Sequence, residues 1–146
     1  ALLRVPYIAM HMRGTPKTMK QETEYKNLMK ELIQHLQERI TRLREFEVKD
    51  VIIDPGFGFA KKISQNFALL QNLDKLSILG KPVLVGLSRK SLIWKSLQTD
   101  PAGALNGTTA LNMVALMKGA DILRVHDVKE AREVIKLFSS LQVNIA

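Results

Sequence analysis

The chain has 146 residues, of which 46% are hydrophobic and 25% charged, and it carries a net charge of +8 and no cysteine. That is one domain's worth of material with enough apolar content for a core. Lack of cysteine excludes disulfides and thiol chemistry, and no apolar run approaches the roughly 18 residues that cross a bilayer.

The first apolar run, Tyr7 to Met12, ends in Arg13-Gly14 and reads as a strand. Within it Met10 and Met12 face one side and His11 the other, so only one set can meet a ligand. Thr15-Pro16 is expected to open a long helix whose Leu28, Leu32, Leu36, Ile40 and Leu43 recur at helical spacing, with His35 on its solvated side. Val51 to Ile53 is a second strand, broken by Asp54-Pro55-Gly56, where Asp54 reads equally as a turn residue. Ser64 is expected to cap a helix with Phe67, Leu70, Leu73 and Leu76 inward, closed by Gly80.

Val83 to Leu87 forms a third strand ending in Ser88-Arg89-Lys90. A short helix from Ser91 to Leu97 follows, then a break at residues 99–103, then a helix from Gly107 to Lys118 in which Met113 and Met117 read as core filler. The fourth strand, Ile122 to Val125, runs into His126-Asp127. Asp127 with Glu130 suggests a capping box for a last helix with Ala131, Val134, Ile135, Phe138 and Leu141 inward.

The strand-ending clusters recur at intervals of about 35 to 45 residues, the length of a strand, a crossover helix and two loops. Runs rich in Val, Ile and Leu without polar alternation suit strands buried on both faces of a parallel α/β sheet. Ligands gather at the carboxyl ends of such strands, so the four clusters propose one composite site. The charge favours anionic partners, and the cations at strand ends (Lys61, Lys62, Arg89, Lys90, Arg124 and His126) suit a small anion. Other basic residues, such as Lys26, Lys30, Arg39, Arg42 and Arg44, spread over helix faces without aromatic interleaving, so nucleic acid and membrane surfaces are not expected partners. No spacing of carboxylates and histidines suggests a protein-built zinc site. The start ALLRVPYIAM has no basic leader or cleavage pattern, so a cytoplasmic location is expected.

The stretches MHMRGTPKTM (10–19), IIDPGFGFAKK (52–62), PVLVGLSRKSLI (82–93) and GTTALNMVALMKGADILRVHDVKEA (107–131) together closely resemble the dihydropteroate synthase family, in the family's order. The resemblance implies a TIM (β/α)8 barrel that condenses a dihydropterin pyrophosphate with para-aminobenzoate in folate biosynthesis. It further implies that Asp54 accepts hydrogen bonds from the pterin and that Lys90 reaches the pterin while sitting beside the aminobenzoate. Arg124 and His126 would bind the pyrophosphate, Arg124 also stacking on the pterin. The loop of Gly58 and Phe59 would pack on the aminobenzoate ring, Ser88 would contact its carboxylate end, and Met10 would line the pterin pocket. Arg89 is expected to point away and hold a neighbouring helix.

The same resemblance implies a magnesium ion whose protein ligand lies outside this chain, a homodimer, and sensitivity to sulfonamides, which mimic aminobenzoate. It matches only the last four or so βα units, so the chain is expected to be a single partial domain, the carboxyl-terminal half of the barrel, starting at the tail of a helix and lacking turnover by itself. Two other readings stand beside it. One is a pterin-binding domain of a corrinoid-linked methyltransferase, against which Phe59 and the Ser88-Arg89-Lys90 run argue; the other is a noncatalytic half-barrel that binds anions or assembles with a partner.

Overall fold

Parallel pairing organises the chain. The computed structural model describes residues 4–19 and 21–143; the expected helix tail at residues 1–3 lies outside them. Strand β1 (Tyr7–Met10) pairs with β2 (Val51–Asp54) in parallel, from Tyr7↔Val51 to Met10↔Asp54. Strand β3 (Leu84–Val85) pairs with β4 (Ile122–Leu123) through Leu84↔Ile122 and Val85↔Leu123. A single parallel bridge, Ile53↔Val83, joins the two pairs, and Ile53 N–H donates to Pro82 O at 2.9 Å. The spatial order is therefore β1-β2-β3-β4, with a helical crossover between neighbours, as parallel strands require.

Strands β1, β3 and β4 are shorter than the apolar runs that signal them, whereas β2 runs one residue further, to Asp54. Beyond them the ladder fades rather than stops, since His11 N–H still reaches Asp54 O and Arg124 N–H still reaches Val85 O, both at 2.9 Å. Burial on both faces holds for β2 and β3 but fails for the outer strands, where Tyr7, Ile8 and Ile122 are exposed. Among the described residues each outer strand has a neighbour on one side only.

Helix α1 (Leu28–Glu45) buries Leu32, Leu36 and Ile40 against the sheet. It does not begin at Thr15-Pro16. Residues 15–19 make a separate turn, with Met19 N–H donating to Thr15 O at 2.8 Å. The real start is Asn27, whose Oδ1 accepts from Lys30 N–H at 3.0 Å while Glu31 Oε1 accepts from Asn27 N–H at 2.8 Å, a reciprocal cap. The segment before it lacks an apolar face, and without burial a helix of that composition does not sustain itself. His35 is not on a solvated face: it is half-buried, its ring 4.9 Å from that of His11 in an edge-on arrangement.

Helix α2 (Ile63–Gln71) is capped two residues earlier than Ser64 suggests, with Lys62 N–H donating to Gln65 Oε1 at 2.7 Å. The chain then tightens into a 3₁₀ helix, Leu73–Leu79, closed as expected by left-handed Gly80. This change of winding puts Leu69, Leu70, Leu73, Leu76 and Leu79 inward and leaves Phe67 exposed. Helix α3 (Ser91–Ser96) and a 3₁₀ turn (Ala102–Ala104) lead to α4 (Leu105–Met117), which starts two residues before Gly107. A methyl group on Gly107 would lie 2.5 Å from Ile93 Cγ2, so the glycine permits the close crossing of α3 and α4.

Met113 is half-buried, but Met117 is 67% exposed and fills no core. Helix α5 (Val128–Val143) packs chiefly on α4, so its buried stripe is narrow. Ala131 and Val134 are buried and Phe138 half-buried, whereas Ile135 and Leu141 face outward. Asp127 does precede α5, but its carboxylate is held by Arg89 rather than by a capping box. Among the described residues no helix is long and apolar enough to cross a membrane.

Candidate active site

Asp54 ends β2 and is buried, with Oδ1 accepting Gly56 N–H at 2.8 Å. It is thus both the turn residue and a carboxylate aimed past the strand end. Burial pushes its carboxyl above the usual range, against the pull of the Gly56 N–H and of the cations Lys90, Arg124 and Lys61. Met10, half-buried, sits opposite Asp54 in the β1–β2 register and so shares its face.

The loop after Asp54 turns through left-handed Gly56, Gly58 and Ala60. It presents the Phe59 ring 4.9 Å from Lys90 Nζ, and that amine donates to Phe57 O. Gly58 is exposed, and a methyl group there would lie 3.3 Å from Lys90 Cδ, so the loop and the lysine stem run side by side. Burial lowers the Lys90 amine to about 8; Asp54 opposes the shift and Arg124 adds to it.

Arg124 follows β4 and lies across Gly86, where an added methyl group would come within 2.8 Å of Nη2. Replacing Gly86 by alanine should therefore displace the guanidinium while costing little stability, because the clash is with the free end of a flexible side chain. The thermal midpoint, measured by calorimetry, should stay within a few degrees of that of the unaltered chain.

Ser88 is buried, and its hydroxyl accepts His126 N–H at 3.2 Å and lies 2.9 Å from His126 Nδ1. With the hydroxyl hydrogen on Nδ1, the imidazole presents Nε2–H outward as a donor. This geometry makes Ser88 a support for His126. Arg89, with φ of 53°, turns its side chain away from Lys90. Its Nε and Nη2 donate to Asp127 at 2.9 and 2.8 Å, and Nη1 donates to Pro101 O and Ala102 O at 2.9 and 3.0 Å. The loops after β3 and β4 are thereby tied twice, through Ser88–His126 and Arg89–Asp127.

The strand ends therefore bring together Met10, Asp54, Gly58, Phe59, Lys90, Arg124 and His126: one buried carboxylate, an aromatic ring and a set of cations. Concavities also lie elsewhere, one beside Val128, Arg132 and Lys136 and one at the opposite strand ends between Gly80, Lys81 and Gly119. The cluster sits on an open face. Sequence reasoning placed Lys61 among the strand-end cations but missed its partner, the buried His11, whose Nδ1 lies 3.0 Å from Lys61 Nζ.

The pattern of a protein family described as pterin binding enzyme matches residues 1–126. The chain belongs to that family. Pterin binding enzymes similar to it include the dihydropteroate synthase of Escherichia coli (strain K12), 39% identical over 135 residues, 91% of this chain and 48% of that protein. The dihydropteroate synthase of Synechocystis is 43% identical over 141 residues, 94% of this chain and 49% of that protein. Among solved structures, the Yersinia pestis dihydropteroate synthase in a sulfonamide drug complex superposes with a TM-score of 0.96 at 36% identity, over 99% of this chain and 53% of that one. The Thermus thermophilus dihydropteroate synthase in complex with 6HMPPP gives 0.89 at 40% identity, over 92% of this chain and 55% of that one. The chain spans about half the length of the curated pterin binding enzymes it matches.

Proposed function

We propose that this chain carries the carboxyl-terminal half of a dihydropteroate synthase, about four βα units of a (β/α)8 barrel. The observation that carries the reading is the convergence of Asp54, Lys90, Arg124 and His126 at the ends of consecutive parallel strands, with the Phe59 ring beside Lys90. The exposed apolar residues of β1 and β4, Tyr7, Ile8 and Ile122, are what a barrel's other half would cover. The substrates are a dihydropterin pyrophosphate and para-aminobenzoate, as the solved Thermus thermophilus structures with 6HMPPP and with 4-aminobenzoate support.

In this reading the buried Asp54 accepts the paired N–H donors of the pterin edge, and Lys90 donates to its acceptor atoms. Arg124 and His126 Nε2–H receive the diphosphate. Phe59 gives the aminobenzoate ring an apolar face. The amine nitrogen attacks the exocyclic methylene carbon, and the carbon–oxygen bond to diphosphate breaks. The leaving group takes the electron pair, and its new charge falls beside the Arg124 guanidinium and the His126 Nε2–H donor. The ammonium formed on the product nitrogen then loses its proton to solvent, so no general base is needed. Magnesium is expected from the family, but among the described residues no group of three or more His, Cys, Asp or Glu could hold a metal ion. The resemblance puts the ion's protein ligand outside this chain, so every step above is written through this chain's side chains alone. The reading places the protein in the cytoplasm, as a homodimer formed through outer helices.

Joining the chain to the complementary half of the Escherichia coli relative and assaying dihydropteroate tests the reading. The hybrid should turn over, and Asp54→Asn should lower its kcat/KM about 100-fold, since one charge-assisted acceptor pair contributes up to about 3 kcal/mol. A folded hybrid that binds both substrates and forms no dihydropteroate overturns it.

A further inference from the structure

Lys61 has no task in that reaction, yet its side chain is only 8% exposed. Its Nζ donates to Gly56 O at 3.0 Å and Phe59 O at 3.1 Å and lies 3.0 Å from His11 Nδ1. Three ammonium hydrogens meet three acceptors, which requires His11 Nδ1 to be unprotonated. His11, 1% exposed, meets that requirement: burial first, and then the Lys61 charge, lower its imidazole to about 3. Among the described residues no carboxylate forms an ion pair with Lys61; Asp54 acts on it only at longer range. Burying an ammonium without a contacting counter-ion costs several kcal/mol, so its persistence needs a local reason.

The loop supplies one. Gly56, Gly58 and Ala60 have φ of 69, 79 and 49°, and left-handed backbone at Ala60 costs about 1 kcal/mol. Such conformations persist only where the surroundings over-determine them. Two further side chains grip the same loop, with Gly58 N–H donating to Asn66 Oδ1 at 2.7 Å and Tyr25 Oη–H to Ala60 O at 3.0 Å, and the backbone closes it through Phe59 N–H to Gly56 O at 3.1 Å; among the described side chains Lys61 is the one that binds both Gly56 O and Phe59 O and ties them to His11 at the end of β1. The gripped segment is the one that carries the Phe59 ring and the carbonyl receiving Lys90.

We propose that Lys61 is a positioning residue: its ammonium, capped by neutral His11, holds residues 56–60 in their left-handed turn and thereby fixes Phe59 and Lys90 for an aromatic amine substrate. The role toward the aromatic amine rests on the dihydropteroate synthase reading; the hold on the loop does not.

The test is Lys61→Met, which keeps the volume and removes all three donors. A residue that only stabilised the fold would lower the thermal midpoint when lost. Here the midpoint should stay or rise, because a buried charge is removed, while amide exchange at Gly58 and Phe59 by NMR accelerates at least tenfold. The affinity for 4-aminobenzoate, titrated in the presence of pterin pyrophosphate, should fall at least tenfold, and that for the pterin less than threefold, with Asp54→Asn as the control that abolishes pterin binding. Unchanged exchange at Gly58 and Phe59 overturns the proposal. Undiminished 4-aminobenzoate binding by the methionine variant overturns the positioning role and leaves the functional reading intact. If the unaltered chain binds neither ligand, that reading fails for this chain, and the exchange data still decide the hold on the loop. Should Lys61→Met not fold, NMR of the unaltered chain decides: slowly exchanging Lys61 Nζ hydrogens with contacts to the His11 ring support the proposal, and an amine exchanging like an exposed lysine sinks it.

Discussion

Gly56→Ala should destabilise the chain by about 2 to 5 kcal/mol, whereas Gly80→Ala should cost about 1 to 2 kcal/mol. Both glycines have left-handed φ, 69 and 57°, so both substitutions carry the same backbone penalty of about 1 to 2 kcal/mol. The difference lies in what an added methyl group meets. At Gly80 nothing lies within 4 Å, but at Gly56 the methyl would come within 2.0 Å of His11 O, a backbone atom that no rotamer change can move. Relief requires β1 and the Asp54 loop to separate, breaking the His11 N–H to Asp54 O bond and the Lys61 grip, which adds about 1 to 3 kcal/mol of overpacking strain. Native domains are stable by only about 5 to 15 kcal/mol, so Gly56→Ala should leave the chain marginal. Urea denaturation of the two variants side by side decides it. Equal midpoint shifts would mean that the loop does not press on β1 as closely as described.

Stability should rise with pH across the neutral range because of the same buried pair. The His11 imidazole is held near 3 in the fold against 6.5 outside it, so below pH 6.5 the unfolded chain takes up a proton that the folded chain refuses. Stability is then lost as pH falls toward 3, at about 1.4 kcal/mol per pH unit. Asp54, with its raised carboxyl, works in the opposite direction at the acid end. Lys61 is lowered from 10.5 to about 7. The folded chain sheds that proton first, so stability climbs as pH rises from about 7 toward 10.5, again by up to about 1.4 kcal/mol per unit. Denaturation midpoints at intervals from pH 4 to pH 10 should show both arms, and Lys61→Met should make the alkaline one shallower, leaving the part above about pH 8 that the lowered Lys90 amine contributes. A profile that falls between pH 7 and pH 9 in the unaltered chain would contradict the burial of an ammonium at this position.

Much of the candidate site was legible because its members are local signals. Asp54-Pro55-Gly56 announces a turn, Ser88-Arg89-Lys90 and His126-Asp127 end apolar runs, and four strands at similar spacing imply that these ends meet. The coupling of Arg89 to Asp127 was visible only as a guess that Arg89 points away. What the sequence misread shares one cause. Thr15-Pro16 looks like a helix start, Phe67 and Leu141 look inward, and Met117 looks like filler, because local pattern assumes a partner surface that the fold does not place there.

Residue order by itself determined the α/β class, the parallel strands and the polar cluster at their ends. These follow from the period of the apolar residues and from turn chemistry, both of which act over a few neighbours. Only the tertiary structure decided that Lys61 and His11, fifty residues apart in sequence, share one proton arrangement beneath the loop, that Ser88 supports His126, and that Arg124 lies across Gly86. Each of these depends on distances across the sheet, and side chains far apart in sequence meet there only once the helices have fixed how the strands pack.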